Sequence, residues 1–365
     1  MLAVLWGFFR QSDLILFCSM AVLMGLGFAV LYSMGLGISG DNFFYLKHQT
    51  LAFGIGMVAL LVLSTVHYQQ LRTYSLAFYI ATLLILIAVL FLGSTIRGTK
   101  GWLAIGGFTL QPVELAKLGL IIMLARYFSS FTRQVGQLKH IVISGSLALL
   151  PIGAVLLQPD LGSAAILFII WLGMILMSGV PRRYTIAMCI MIALIAVLGW
   201  MFVLKDYQRQ RVLTFLSPTH DVQGKSYNIR QAQIAIGSGE LFGRGLGFGS
   251  QSHLRFLPES QTDFIFSVIA EELGFIGVGL LLFFWFVLLS RLVRLMRIVR
   301  DDFGVYCVLG VTLLLFSHMA INIGGNLGLI PLTGIVLPFL SYGGSALVID
   351  LIGIGLVESI HIHSV

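Results

Sequence analysis

The stretch Asp263–Leu295 reads DFIFSVIAEELGFIGVGLLLFFWFVLLSRLVRL. It carries no charge between Leu273 and Ser290 and ends in arginines. An apolar run of that length crosses the ~30 Å hydrocarbon core of a bilayer as a helix rising 1.5 Å per residue. The rest of the chain has the same character. Of 365 residues, 58% are hydrophobic and 10% charged, against about 25% charged in an ordinary soluble domain. Mean hydropathy is +0.99. A soluble surface, a disordered chain and an outer-membrane barrel of alternating strands are excluded. What remains is an all-α polytopic membrane protein, read as one domain over residues 1–365.

Ten apolar segments follow one another: Asp13–Gly35, Lys47–Val66, Tyr74–Gly93, Pro112–Phe128, His140–Leu157, Leu161–Ser178, Tyr184–Leu204, Asp263–Leu295, Phe303–Ile323 and Pro338–Ile360. An even count puts both termini on one side. With that side cytoplasmic, the inner segments hold Arg10, Arg72, Arg126, Arg133, Lys139, Arg182, Arg183, Arg291, Arg294, Arg297 and Arg300, and the short outer loops only Lys47, Arg97 and Lys100. This bias satisfies the positive-inside rule. It also accounts for the net charge of +7 without nucleic acid. The arginines from 291 to 300 are expected to rest on anionic headgroups. The first apolar segment is expected to stay as a helix rather than be cleaved as a signal. One connection is long: Lys205–Thr262, an extracytoplasmic loop between the seventh and eighth segments. Within it, Ser226–Ile236 reads as a short amphipathic helix, with Tyr227, Ile229, Ile234 and Ile236 as membrane contacts.

Cys18, Cys189 and Cys307 are far apart and the eight histidines are scattered, so neither a disulfide framework nor a histidine metal site is expected. The polar residues that need an explanation lie on the outer side. Glu114 and Lys117 are one turn apart and can pair. Asp160 opens the sixth segment and Asp263 the eighth. Acids in a first turn ordinarily cap free N–H groups, and that is the default role for Glu114, Asp160 and Asp263. A second role competes with it. Segments four, six, eight and ten all start at the outer face, so four helix N-termini, with Arg97, Lys100 and Lys117, make a site suited to phosphate or diphosphate. Glu271, Glu272, His318, Asn322 and Asp350 lie deeper, where interhelical hydrogen bonding is the default. The run Gly237–Gly249 holds six glycines. It lacks the strand and βαβ context of a nucleotide fingerprint, so no nucleotide is expected. It reads as turns, or as a backbone nest for a phosphate.

Several motifs resemble the SEDS family of cell-wall polymerases: Arg97-Gly-Thr-Lys-Gly-Trp102, Gln111-Pro-Val-Glu114-Leu-Ala-Lys117, Gln158-Pro-Asp160-Leu-Gly-Ser-Ala, Asn228-Ile-Arg230-Gln-Ala-Gln before the glycine run, Leu257-Pro-Glu259-Ser-Gln261-Thr-Asp263 through Gly274, and Pro331 through Ser345 with Pro338-Phe-Leu-Ser341. They span nearly the whole chain in order. The ending Gly355–His363 and the short N-terminus resemble the elongation branch, RodA-like, more than the division branch, FtsW-like. The chain departs from the family's usual pattern at Gly101, Val113 and Ala346. The resemblance implies peptidoglycan glycosyl transfer: polymerisation of a lipid-linked disaccharide-peptide at the outer face of the bacterial cytoplasmic membrane. It implies a class B penicillin-binding protein and other elongation-complex proteins as partners. The family's key acid maps to Asp263 and its important tryptophan to Trp102.

An α-linked diphosphate donor that gives a β-linked glycan requires one inverting displacement, for which a single base suffices. Asp263 is the expected base. Lys117, Arg97, Lys100, Arg209 or Arg211 are expected to meet the leaving diphosphate, with a divalent cation, Mg or Mn, as a candidate cofactor. Trp102 either stacks on a sugar or anchors at the headgroups. Glu114, Asp160, Glu259, Gln261 and Ser341 complete the expected substrate-binding set. The rival is a flippase of the same precursor. A transporter site would sit at the midplane between repeats, and no such repeat is legible. A third reading, a scaffold that only recruits a synthase, leaves Lys117 and Asp263 without a chemical role.

Overall fold

The computed structural model describes residues 12–36, 43–96, 99–105, 108–131, 138–188, 190, 225–253 and 256–364. The first helices are α1 Leu14–Gly35, α2 Phe44–Thr65 and α3 Gln69–Leu92. Three strands follow, β1 Ser94–Ile96, β2 Thr99–Ile105 and β3 Phe108–Leu110. Then come α4 Pro112–Phe131, α5 Leu138–Leu157, α6 Leu161–Met177, α7 Lys225–Ser238, the single turn α8 Ser250–His253, α9 Ile265–Ile298, α10 Asp302–Asn326 and α11 Gly344–Ser364. Among the described residues seven helices are long and apolar enough to cross a membrane. Many of their outward side chains are large, exposed hydrophobics, such as Phe91, Phe275 and Phe286, as a lipid-facing surface requires. Nine of the ten expected segments coincide with helices. The seventh begins in the helical stretch 182–188, and 191–204 lie outside the described residues. So do Lys205–Gly224 of the long loop. Its amphipathic helix is present as α7, with Tyr227 and Ile234 exposed.

Helix α4 sits at the centre, packed by α3, α5, α6, α10 and α11. Glycine allows the closest helix contacts, since backbones approach only where a side chain is missing. Between α2 and α11, a Cβ on Gly355 would lie 2.9 Å from Leu60 Cα. Gly355→Val is expected to cost about 1–3 kcal/mol by overpacking, read as a lowered thermal unfolding midpoint in detergent.

Two expectations need correction. The fold is not purely helical: β1, β2 and β3 form an antiparallel sheet between α3 and α4. Ser94 faces Trp102 across one strand pair, and Leu103 faces Leu110 across the other. Strands this short produce too little alternation to stand out beside long apolar runs. At Gly101, one of the departures from the family's usual pattern, a Cβ would meet Gln158 Oε1 at 3.0 Å. The tenth segment does not run unbroken from Pro338. A turn closed by Ser341 N on Leu337 O (2.9 Å), with Phe339 at φ +66°, delays α11 to Gly344.

Of the arginine row at the end of α9, Arg294, Arg297 and Arg300 are exposed. Arg291 instead grips Asp13 Oδ2 through Nη2 (2.6 Å) and Nε (2.9 Å). Asp13 also caps α1 through Ile15 N and Leu16 N.

The glycine run seats the loop on α9. Gly274 breaks that helix at φ +65°, ψ −164°. A Cβ on Gly239 would lie 1.8 Å from Ala270 O, and one on Gly243 2.1 Å from Glu272 O. The freed carbonyls of Glu271 and Glu272 accept Arg244 N and Gly245 N, both at 3.0 Å. The buried carboxylates join in: Glu271 accepts Gln251 N at 2.8 Å, and Glu272 accepts Ser33 Oγ at 2.6 Å. The run forms turns, as expected, at 239–242 and 246–247, but its N–H groups are taken by protein acceptors rather than left as a phosphate nest. It is where backbone must touch backbone.

Candidate active site

A cavity of about 450 Å³ opens where four helix N-termini meet. Gln111 precedes α4, Asp160 caps α6, Phe264 caps α9, and Gly344 to Ala346 open α11, and all border it. Four sets of N-terminal N–H groups and their partial positive charge therefore surround one space. The remaining wall includes Trp102 and Thr99 of β2, Glu259, Thr262 and Asp263 of the turn before α9, and the segment 332–336.

Asp263 is half-buried and stands one residue before the α9 cap. Its turn is braced on the outside by Leu257 and Phe264, which pack with Ala232 and Ala235 of α7. Glu259, at φ +54°, closes the turn by accepting Thr262 N (3.1 Å) and Asp263 N (3.2 Å) on its carbonyl. Three successive carbonyls are then held from other elements. Gln261 O accepts Tyr342 N (2.8 Å), and Thr262 O accepts Ser341 Oγ (2.6 Å). Asp263 O accepts Nδ2 of both Asn322 (3.0 Å) and Asn326 (2.9 Å). None of these bonds uses the Asp263 carboxylate. A Cβ on Gly334, at φ +78°, would lie 3.6 Å from Asp263 Oδ2, so the 332–336 segment passes directly over the acid. Such rigid backbone support is what a positioned catalytic group needs. Asn326→Leu removes one clamp while keeping volume. It is expected to lower turnover about tenfold through misplacement of the acid, checked by kcat on a preparation with unchanged expression and detergent profile.

Across the cavity, Lys117 is 1% exposed. Its Nζ lies 2.7 Å from Glu114 Oε1 and 2.9 Å from His318 Nε2. Asp350 of α11 interacts electrostatically with both Glu114 and Lys117. Glu114 is 4% exposed, and the ion pair meets the cost of burying either charge alone. Thr333 Oγ1 is buried and makes no hydrogen bond with the described residues. Tyr342 packs edge-on against Tyr45 at 4.9 Å. Burial, with Tyr45 beside it, raises the Tyr342 phenol above its ordinary pKa, which keeps it neutral.

Six of the expected residues, Trp102, Glu114, Lys117, Asp160, Glu259 and Asp263, border this one cavity. The capping role holds for Asp160, which accepts Ser163 N at 3.0 Å. Glu114 pairs with Lys117, and the α9 cap position belongs to Phe264. Lys100 is exposed on β2 and is not part of the wall. Gln261 and Ser341 stand behind it, acting through the backbone of the Asp263 turn. Arg97, Arg209 and Arg211 lie outside the described residues. The expected hydrogen bonding between elements holds for His318, on Lys117, and for Asn322, on Asp263 O and Ile335 O, whereas Asn326 was not singled out. Their spacing of four residues, which places them on one helix face, was the available signal.

The comparisons agree with this architecture. The FtsW/RodA/SpoVE family, described as "Cell cycle protein", matches residues 13–365. "Peptidoglycan glycosyltransferase MrdB" of Escherichia coli K12 is 36% identical over 327 residues, covering 89% of this chain and 88% of that protein. "Stage V sporulation protein E" of Bacillus subtilis 168 is 34% identical, covering 97% and 98%. Among solved structures, a chain of a "peptidoglycan synthase complex" described for its "coordination of polymerization and crosslinking" matches with TM-score 0.82 at 32% identity, over 96% of this chain and 97% of that one. The "Rod shape determining protein RodA" of Thermus thermophilus matches with TM-score 0.72 at 30% identity, over 96% of each chain. Matched over residues 13–365, this multi-pass membrane chain belongs to the FtsW/RodA/SpoVE, or SEDS, family.

Proposed function

We infer that this chain is a peptidoglycan glycosyltransferase of the RodA-like branch. It polymerises a lipid-linked disaccharide-peptide at the outer face of the bacterial cytoplasmic membrane, and so serves elongation and rod shape. The observation that carries the reading is one cavity holding both a rigidly supported carboxylate, Asp263, and a buried ammonium, Lys117. An inverting transfer needs those two charges on opposite sides of the reacting centre.

In this mechanism the acceptor hydroxyl lies against Asp263. The carboxylate takes its proton as the oxygen attacks the anomeric carbon. The bond from that carbon to the diphosphate oxygen breaks, and the diphosphate leaves as an anion. Lys117 and the converging helix N-termini stabilise the developing charge. Trp102 offers a ring face to a sugar. Glu259 borders the same cavity and, with Gln261, shapes the turn that carries the base. Arg97, Lys100, Arg209 and Arg211 attract the anionic substrate from the outer surface. Among the described residues no three His, Cys, Asp or Glu converge as metal ligands. A Mg or Mn ion would therefore arrive with the diphosphate and take one or two carboxylates from the protein.

Ten membrane helices with both termini cytoplasmic are the topology that puts the cavity at the outer leaflet. The bias of Lys and Arg supports it. A class B penicillin-binding protein would crosslink the strands as they emerge, and the match to a synthase-complex chain supports such a partner. The test is the purified chain with that partner on labelled lipid-linked disaccharide-peptide. Glycan ladders are expected. Transfer of intact precursor across vesicle membranes without ladders would replace this reading with a flippase.

A further inference from the structure

The mechanism above uses Lys117 but gives no work to its neighbour on α10. A charged ammonium has three N–H donors and no lone pair. One donor points at Glu114 Oε1 and a second at His318 Nε2. The third is left for the cavity that Lys117 borders. Because the ammonium cannot accept, Nε2 must, so the imidazole is neutral with its proton on Nδ1. His318 also shares a face of α10 with Asn322 and Asn326, at intervals of four residues. Those two asparagines hold the backbone of Asp263. One helix face thus reaches both charges of the site.

We propose that His318 is a positioning residue for the transfer: as a neutral acceptor it aims the Lys117 ammonium at the departing diphosphate and ties it to the helix that holds Asp263. The inference rests on the glycosyl-transfer reading. A lysine has four flexible side-chain bonds, and a contact with Glu114 alone would leave it free to swing with that carboxylate. The second contact, from a different helix, fixes its direction. Protonation of His318 would place two cations 2.9 Å apart and drive the ammonium from its place. Charged groups gathered at the imidazole include Lys117 and Glu114 from α4, with Asp350 from α11 interacting with both. Helix α6 contributes no titratable residue of its own, and its cap Asp160 lies at the cavity wall with Asp263.

The test compares wild type, His318→Leu and His318→Gln as full chains with the crosslinking partner. Polymerisation is measured over a range of lipid-linked disaccharide-peptide concentrations, which separates turnover from KM. Leu offers Lys117 no acceptor, whereas the Gln amide oxygen accepts and never titrates. His318→Leu is expected to lose about 10–100-fold in turnover, as for a lost hydrogen bond to a charged group. Its KM should shift less than about threefold. His318→Gln is expected to recover to within about fivefold of wild type, because its amide oxygen still accepts from Lys117. If His318→Leu fails to fold, the Gln variant decides alone. A Gln variant that falls as far as Leu, or wild-type turnover in a folded Leu variant, overturns the role of His318. A wild type that makes no glycan refutes the glycosyl-transfer reading itself, and this inference with it.

Discussion

Asp263→Asn is expected to lower glycan polymerisation by about 10³-fold or more, within the range lost when a general base is removed. Binding of the lipid-linked precursor should change by less than about threefold, because the interaction removed belongs to the transition state. The substitution is well suited to the test. Asn has the size of Asp, and the bonds that shape the turn run through the carbonyls of Gln261, Thr262 and Asp263. The variant should thus fold, unfold at the wild-type midpoint and bind the crosslinking partner. Asp263→Glu keeps a carboxylate but moves it by about one bond length, and a shift of that order can cost about 10²-fold. A rate ranking of Asp above Glu above Asn is therefore expected. Full polymer yield from Asp263→Asn would remove Asp263 as the base.

The second large effect is expected at Lys117. Lys117→Met should lower turnover by about 10²–10³-fold, as when one preorganised donor to a developing anion is lost. It also strips the buried Glu114 carboxylate of its cation, so some loss of stability accompanies it. Lys117→Gln separates the two effects. It offers Glu114 an N–H donor without the charge, from a side chain one bond shorter, and turnover should still fall by about 10²-fold. Turnover in the folded Gln variant equal to wild type would show that the diphosphate is stabilised elsewhere.

How much of this was legible in the sequence depended on the physics of each element. The long helices were plain, because a bilayer demands unbroken apolar runs and few other structures supply them. The site was legible for a related reason. Segments that alternate in direction bring their starts to the same face. Glu114, Asp160 and Asp263 each mark such a start, and all three border one cavity. The sheet of residues 94–110 was not legible, since its longest strand, Thr99–Ile105, mixes polar and apolar residues without a clear period. The glycine run was legible as turns but not as a packing surface. Its need for close approach appears only when Ala270 O and Glu272 O lie against Gly239 and Gly243. Ser341 looked like a ligand hydroxyl, yet its proton goes to Thr262 O. Arg291 looked like part of a surface row, yet it reaches Asp13, far away in the chain. In each of these cases the deciding contact joins distant segments, which a linear pattern does not encode.

The central claim is that acid and ammonium act on opposite ends of one bound donor–acceptor pair. The most direct measurement is the structure of Asp263→Asn with lipid-linked disaccharide-peptide bound, where slowed chemistry holds the substrate in place. The account predicts the acceptor hydroxyl within about 2.6–3.2 Å of the residue 263 side chain, the diphosphate against Lys117 Nζ, and a sugar against Trp102. A diphosphate seated away from Lys117, or an acceptor hydroxyl beyond reach of residue 263, would contradict it.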